Sequence, residues 1–296
     1  EVSVVPNLQF LRVKLPLPER RPLISLILDM GESLPLLEAQ LSALAARTTY
    51  GKYEVLALHS AAASRASLAR VQRLISKNIR LLPHPAGFSQ AQRLQLGAQH
   101  AQGQILGFLS GGVVPLTKGW LEELVSCLCR DGVGAVGGKL LHAGDMLHGG
   151  YLVDASGRLT AIFRGLASDE PSWFGWNMLA RTVDALDGLC LFTPAATLAQ
   201  AGGFDAAMPH ASVWDYCLRL GDKGLRSVWW PFAEFFLPQA VERTGQQSLS
   251  PYDDATADPA FMARWADRLV PFNKNLLARG AGWVLFTGEA GRPRVT

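Results

Sequence analysis

Four aspartates are candidate site residues: three stand at apolar runs that predict buried strands, and one lies on a predicted helix. Asp29 ends one apolar run, Asp184 and Asp187 bracket a second, and Asp215 lies on a predicted helix. Asp184, Asp187 and Asp215 are candidate general bases, because a positioned carboxylate can take a proton, whereas Asp29 is a candidate ligand contact at the end of its strand. The competing interpretations are structural: pairing of Asp215 with Arg219 four residues on, a buried hydrogen bond for Asp184 and Asp187, and capping of a turn for Asp29.

A second group of candidates surrounds the apolar run Ile105–Leu109, which reads as a buried strand that ends in small residues. Ligands of open parallel sheets bind in the crevice beyond the carboxyl ends of the strands, so we expect Gly111 and Gly112 to line such a crevice. Arg93 and Lys118 are predicted to flank it and could hold phosphate groups. Solvated surface positions are the alternative for both side chains.

The elements that position these residues follow a βαβ pattern over residues 22–130. Apolar runs that predict strands alternate with helical periodicity, and this alternation predicts a mostly parallel sheet with right-handed crossovers. After residue 130 the pattern changes to a smaller antiparallel part. There we predict a glycine-punctuated strand over 133–141, a hairpin of 151–153 with 159–163, a buried strand over 183–192, a helix over 213–220 and an amphipathic segment over 258–269.

Composition excludes several classes of protein. The chain has 296 residues, of which 49% are hydrophobic and 18% are charged, so it can bury a sizeable core. A formal net charge of +3 without basic runs argues against nucleic-acid binding. No apolar stretch is long enough to span a membrane, and the start resembles no secretion signal. The first residue is Glu1, as in a piece of a longer protein.

Four cysteines bear on the cellular compartment. Cys127, Cys129, Cys190 and Cys217 form no C-x-x-C pair and no zinc-like spacing with histidine. We interpret them as buried reduced thiols, which predicts a cytoplasmic protein.

Several local signatures resemble the inverting family 2 glycosyltransferases with the GT-A fold, especially their rhamnosyltransferase-like branch. The resemblance covers residues 22–275. Its signatures are Pro22-Leu23-Ile24-Ser25, Gly103-Gln104-Ile105-Leu106-Gly107-Phe108-Leu109, Gly119-Trp120-Leu121-Glu122-Glu123-Leu124, Val133-Gly134-Ala135-Val136-Gly137-Gly138-Lys139, His148-Gly149-Gly150, Gly202-Gly203-Phe204-Asp205 and Asp215-Tyr216-Cys217-Leu218-Arg219-Leu220.

The resemblance also implies a domain organisation. An extended lead-in over 1–21 precedes a GT-A-like domain over 22–275. Within this domain we expect a nucleotide half at 22–130, an acceptor half at 131–240 and a helical tail to 275, followed by a C-terminal tail at 276–296.

Such enzymes hold a nucleotide sugar with a divalent cation bound by an Asp-x-Asp or Asp-x-Glu pair, and a later carboxylate activates the acceptor hydroxyl. This sequence departs from that pattern. Gly112-Val113-Val114 stands at the metal motif, and His59-Ser60 replaces the aspartate that contacts the nucleobase. Ser212 and Val213 stand where the acidic pair that supplies the base is expected. We therefore predict no metal site and no cofactor beyond a possible nucleotide-sugar donor. The residues expected to contact its nucleotide and phosphates are Asp29, His59, Arg93, Gly111, Gly112 and Lys118.

The resemblance places four further candidates on the acceptor side. His148 lies in the His-Gly-Gly turn and Arg164 in a Phe-Arg-Gly segment, where a structural role is the alternative for each. Trp173 and Trp176 belong to an aromatic loop that could stack on a sugar ring or simply cover the core.

Three functions remain open at this point. The first is a glycosyltransferase-like domain without metal-dependent transfer, with a structural, regulatory or glycan-binding role beside another glycosyltransferase domain or subunit. The second is an active, metal-independent inverting glycosyltransferase that acts on a polysaccharide, glycolipid or glycoprotein, with Asp215, Asp187 or Asp184 as the base. The third is a protein-interaction module.

Overall fold

The structure is a computed structural model that describes residues 2–5, 10–30, 34–73, 78–154, 157–238 and 258–269. Its first half alternates strands with helices, as the sequence predicts. The elements are β1 Val2–Val4, β2 Leu11–Val13, β3 Ile24–Asp29, α1 Leu34–Arg47, β4 Tyr53–Ser60, α2 Arg65–Gln72, β5 Ile79–His84, α3 Gln90–His100, β6 Ile105–Ser110, β7 Val114–Pro115 and α4 Trp120–Leu128.

The second half contains the longer strands and the antiparallel additions. Its elements are β8 Val133–His142, β9 Asp145–His148, β10 Tyr151–Val153, β11 Leu159–Ala161, a 3-10 helix Trp173–Met178, β12 Arg181–Val183, β13 Cys190–Pro194, α5 Ala195–Gln200, α6 Ser212–Asp222, β14 Arg226–Phe236 and α7 Pro259–Trp265. The predicted hairpin is confirmed, because β10 pairs with β11 in antiparallel register.

One large sheet organises the molecule, with strand order β12-β14-β8-β13-β6-β3-β4-β5. β3 pairs in parallel with both β4 and β6, β4 with β5, and β14 with β8. β13 is antiparallel to both β6 and β8, so these two strands also run in the same direction. The predicted α/β class with a mostly parallel sheet and a small antiparallel part is confirmed.

The single strand predicted over 183–192 is wrong. β12 ends at Val183 and β13 begins at Cys190, with a buried loop between them. The loop is apolar enough to resemble a strand because Leu186 and Leu189 are buried. Its carboxylates bond to other parts of the chain, Asp184 to the Val153 amide and Asp187 to His148.

Large aromatic residues fill the core, and one of their rings packs against a glycine of a neighbouring strand. The ring of Trp120 packs edge-on against Phe192 and Phe235, with ring centroids 6.0 Å and 5.3 Å away. The Phe192 ring occupies the space that a Cβ on Gly107 would need, so glycine in β6 permits the close approach of β13.

The described part of the lead-in forms a hairpin of β1 and β2 rather than a single extended segment. Arg12 anchors it to the body, donating to Glu123 at 2.6 Å and lying 4.1 Å from the centroid of the Phe232 ring. The opposite face of the hairpin is apolar and exposed. It carries Val2, Val4, Leu11 and Val13, which are 57–67% exposed.

The amphipathic segment 258–269 forms α7, which is capped by the Asp258 carboxylate and packs on α6. The predicted helical tail beyond residue 269 and the tail over 276–296 lie outside the described residues. Within the described chain, no helix combines the length and apolar composition needed to cross a bilayer. Cys127, Cys190 and Cys217 are buried thiols as predicted, whereas Cys129 is exposed because it follows the last turn of α4.

Candidate functional site

Asp29 and Arg93 form an ion pair at the carboxyl edge of the sheet. Asp29 ends β3 between Leu58 of β4 and Ser110 of β6. The Arg93 guanidinium donates to both Asp29 oxygens, at 2.6 Å and 2.9 Å, and to the carbonyl of Phe88 at 2.7 Å. Because a bidentate pair satisfies both charges, Arg93 is not available here as an unpaired cation for a phosphate.

The loop after β6 is held in place by a buried side chain from α1. Gln40 Nε2 donates to the carbonyl oxygens of Ser110 and Val113, at 3.0 Å and 2.8 Å, and the Gly112 amide donates to Gln40 Oε1 at 3.4 Å. Gly112 has a φ of +84°, which glycine adopts without strain. Gly111 donates to the Asp29 carbonyl at 2.8 Å.

This loop does not fit a divalent cation. Such ions take carboxylate oxygens among their ligands, and residues 111–114 offer backbone oxygens only. One of those, the Val113 carbonyl, is already bonded to Gln40. Among the residues that the structure describes, no group of three or more His, Cys, Asp or Glu side chains is arranged to hold a metal.

Two histidines end neighbouring strands at the same edge. His59, predicted at the nucleobase position, is buried at the end of β4, and its Nδ1 donates to the Ser60 carbonyl at 3.0 Å. His84 ends β5, where its Nδ1 donates to the Pro85 carbonyl at 2.9 Å and its buried Nε2 has no hydrogen-bond partner among the described residues. Sequence reasoning missed His84, although its place at the end of a third parallel strand was a usable signal.

Lys118 is not brought together with Arg93. It lines a separate cleft of about 620 Å³ between the lead-in and α4, together with Lys14, Glu122 and Glu123. The residues that line this cleft include none of the group at the carboxyl edge of β3.

Asp215 is a structural junction between α6 and α7. Its carboxylate is fully buried and accepts three hydrogen bonds from side chains. Arg219 Nε donates to Oδ2 at 2.8 Å, while Arg264 Nη1 and Trp265 Nε1 donate to Oδ1 at 2.8 Å and 2.9 Å. Both oxygens are therefore engaged, and Ser212 and Val213 beside them are buried.

Asp187 and His148 form a buried pair that joins the His-Gly-Gly turn to the loop before β13. His148 Nδ1 accepts from the Gly150 amide at 3.1 Å, so Nε2 carries the proton that it shares with Asp187. The second Asp187 oxygen accepts from the Leu189 amide at 2.9 Å. This carboxylate also has both oxygens occupied.

Asp184 differs from the other two predicted bases. Its Oδ2 accepts from the Val153 amide at 2.7 Å, and the carboxylate has no further bond to a residue that the structure describes. The side chain is half-buried. Burial raises the pKa of Asp184 above its ordinary value, although the hydrogen bond from Val153 opposes this effect.

Among the remaining acceptor-side candidates, Trp176 contacts an arginine, Arg181, that sequence reasoning did not select. Arg164 is half-buried and follows Phe163, which has a φ of +61°. Trp176 lies in the 3-10 helix, with its ring centroid 5.1 Å from the guanidinium of Arg181. The side chain of Trp173 lies outside the described part of the structure.

Comparison with a family model gives a match over residues 31–182 to a family described as Glycosyl transferase family 2. Among curated proteins, the O-antigen biosynthesis protein RfbC of Myxococcus xanthus is 29% identical over 231 residues, 77% of this chain and 18% of its own length. A Sinorhizobium fredii protein, y4gI, is 24% identical over 230 residues, 76% of this chain and 25% of its own length. The chain thus spans a quarter or less of these relatives.

Solved structures give the same fold. The mannosyltransferase PcManGT from Pyrobaculum calidifontis, determined with GDP-Man and Mn²⁺, aligns with a TM-score of 0.57 at 18% identity, covering 90% of this chain and 81% of that one. GalNAc-T7, determined with UDP, GalNAc and Mn²⁺, aligns with a TM-score of 0.61 at 15% identity, covering 86% and 53%. The predicted GT-A fold is confirmed.

Proposed function

The chain belongs to glycosyl transferase family 2, and from this premise we propose that it is a sugar-binding member without a metal-dependent transfer step. Its role would be glycan binding, regulation or structure beside another glycosyltransferase domain. The sugar ligand is suggested by PcManGT, which was determined with GDP-Man. The neighbouring domain is suggested by the length of the relatives, of which this chain covers 25% and 18%.

One observation carries the proposal: Gln40 occupies the loop where the family holds its cation. The Gln40 amide bonds to both the Ser110 and the Val113 carbonyls. A departing nucleoside diphosphate needs its negative charge stabilised, and a loop of small apolar residues offers no charge for this. The Arg93 guanidinium does not replace the cation, because Asp29 already neutralises it.

The base position supports the same proposal. Val213 and Ser212 carry no acid, and the nearby Asp215 carboxylate is saturated by three donors. A general base needs an oxygen within reach of the hydroxyl that it deprotonates. We also propose a cytoplasmic location, on the basis of reduced thiols such as Cys190 and Cys217.

Calorimetry with a panel of nucleotide sugars, with and without Mn²⁺, together with an oligosaccharide array, tests this function. We expect array binding, no Mn²⁺-dependent gain in nucleotide-sugar affinity and no sugar transfer. A gain of tenfold or more with Mn²⁺ would overturn the proposal. A Gln40→Ala variant serves as a second test, since freeing the loop carbonyls should still create no Mn²⁺ site.

Asp184 favours a second candidate, a metal-independent transferase with this residue as the base. Among the three predicted bases it alone keeps an oxygen without a partner within the described residues. Its raised pKa would suit proton abstraction.

Donor turnover in EDTA tests this second candidate. An Asp184→Asn variant should lose at least a hundredfold in turnover, and the wild-type rate should fall at low pH as the carboxylate is protonated. Asp222→Asn, an exposed carboxylate of α6, is the control and should keep the rate. An absence of turnover in the wild type removes this candidate.

A further inference from the structure

Arg181 is held among aromatic rings at the edge of the large sheet. Its guanidinium carbon lies 4.6 Å from the ring centroid of Phe163, 5.1 Å from that of Trp176 and 5.7 Å from that of Trp229. The three rings come from separate segments of the chain, and each attracts the cation electrostatically.

Within the described part of the chain, no counter-charge accompanies this cation. Its Nε is buried, and within the described residues the Arg181 side chain forms no hydrogen bond and no ion pair. Burial lowers the pKa of Arg181 to about 9. Arg268 provides the contrast, because it lies 4.5 Å from the Trp265 ring centroid and is also paired with Asp222. A desolvated cation without an anion is costly unless a ligand supplies one.

The position of Arg181 separates it from the carboxyl edge of β3. Arg181 in β12 pairs with Trp229 in β14, which pairs with Gly137 in β8. Four strand spacings of about 4.8 Å separate β12 from β6, so Arg181 lies about 19 Å across the sheet from the Gln40-held loop. It therefore belongs to the predicted acceptor half.

We propose that Arg181 anchors a subsite for an acidic saccharide, with its guanidinium binding a carboxylate or phosphate on the sugar. The saccharide part of this inference rests on the proposed function. The planar fork of a guanidinium matches both anions in a bidentate manner. The half-exposed Trp176 supplies an aromatic face for the sugar ring, and the cage holds the cation in place before the ligand arrives.

Thermal shift and calorimetry on the full chain test this subsite with galacturonic acid, glucose 6-phosphate, neutral glucose and inorganic phosphate at matched ionic strength. We expect a charged sugar to bind and neutral glucose to bind at least tenfold more weakly. The galacturonate and sugar-phosphate arms identify which anion the site takes. Equal binding of inorganic phosphate and glucose 6-phosphate, with none of galacturonate, would overturn the saccharide part.

Variants separate ligand binding from a merely structural role. Arg181→Met keeps the volume without the charge and should lower acidic-sugar affinity at least tenfold. Arg181→Lys keeps the cation over the rings and loses the fork, so it should show an intermediate loss. The Arg181→Lys variant also tests the subsite if Arg181→Met does not fold. Arg268→Met removes an arginine that already has an anion and should leave binding unchanged.

Two results would overturn the inference: no charged sugar binds the wild type, or affinity is equal in wild type, Arg181→Met and Arg181→Lys. Its failure is distinguishable from failure of the proposed function. Neutral glycans that bind while acidic ones do not would remove only the Arg181 subsite. A Mn²⁺-dependent gain in nucleotide-sugar affinity would remove the proposed function while leaving the variant series interpretable.

Discussion

The charged groups in the two halves of the sheet differ in how completely they are paired with other groups of the protein. At the carboxyl edge of β3 and β6, Arg93 is neutralised by Asp29, and the loop carbonyls are bonded to Gln40. In the second half, Arg181 has no anion among the described residues and Asp184 keeps one oxygen without a bond there. Groups that satisfy each other internally have little affinity left for a ligand. The difference directs the search for a ligand to the second half.

Within that second half, Asp215 and Asp184 show that two predicted bases can have opposite roles. Asp215 is fully buried and accepts bonds from Arg219, Arg264 and Trp265. Asp184 is half-buried and accepts one bond, from Val153. The number of donors around each carboxylate therefore distinguishes a structural acid from one that remains available.

The largest expected effect is on Asp215. Replacing it with alanine should lower the free energy of unfolding by about 3–5 kcal/mol, because two arginines lose a buried counter-charge. Denaturant unfolding measures this loss. Asp222→Ala on the same helix is the control, since its pair with Arg268 is 43% and 51% exposed and should contribute at most about 1 kcal/mol. A loss below about 1 kcal/mol for Asp215→Ala would erase the contrast with Asp184.

A smaller effect is expected at the Gln40-held loop. Gln40→Ala should cost about 2 kcal/mol of unfolding free energy, because the Ser110 and Val113 carbonyls lose their partner. The exposed Ser42 of the same helix gives the control Ser42→Ala, which should change stability by less than about 0.5 kcal/mol. Equal stability of the two variants in denaturant unfolding would mean that the loop does not depend on Gln40.

The smallest effect concerns the opposite, amino edge of the same strands, where Glu54 accepts from Ser25 at 2.6 Å, Gln102 at 2.7 Å and Arg80 at 2.9 Å. Burial by itself raises the pKa of Glu54, but these hydrogen bonds outweigh it, and the pKa is lowered from its ordinary value of 4.5. The stabilisation is therefore present above pH 4.5 and is lost as the pH falls through the lowered pKa.

Glu54→Gln should accordingly lower stability at pH 7 by less than about 1 kcal/mol, and the difference from wild type should shrink in acid. Unfolding curves between pH 3 and pH 7 measure this. Glu19→Gln, at an exposed position of the lead-in, is the control and should track the wild type. A difference that grows as the pH falls would contradict the assigned sign.

The sequence predicted those parts of the fold that depend on local pattern. The apolar runs of β3 and β6 and the turn between β10 and β11 were identified because strand composition and turn residues lie within a few positions. The prediction of a strand over 183–192 was wrong because burial of Leu186 and Leu189 gives a loop the same apolar pattern as a strand. The pattern of apolar residues indicates which residues are buried, but it does not distinguish a hydrogen-bonded strand from a buried loop.

The candidate site was less predictable, since its chemistry depends on distant partners. His148 and Asp187 are 39 residues apart, and Asp215 meets Arg264 and Trp265 at separations of 49 and 50. The rings around Arg181 come from three segments, and no spacing rule indicates such a cage. The departures at Gly112 and Val213 could be identified from the sequence because they compare residue types at matched positions.

The N-terminal hairpin has a practical consequence for all of these measurements. The hairpin exposes an apolar face to water, formed by Val2, Val4, Leu11 and Val13. Within the described chain, this sheet has only two strands. The exposed edge of such a small sheet can pair with the same edge of another molecule. Light scattering across a dilution series should therefore precede every titration, because self-association through the hairpin at high protein concentration would mimic ligand-induced stabilisation.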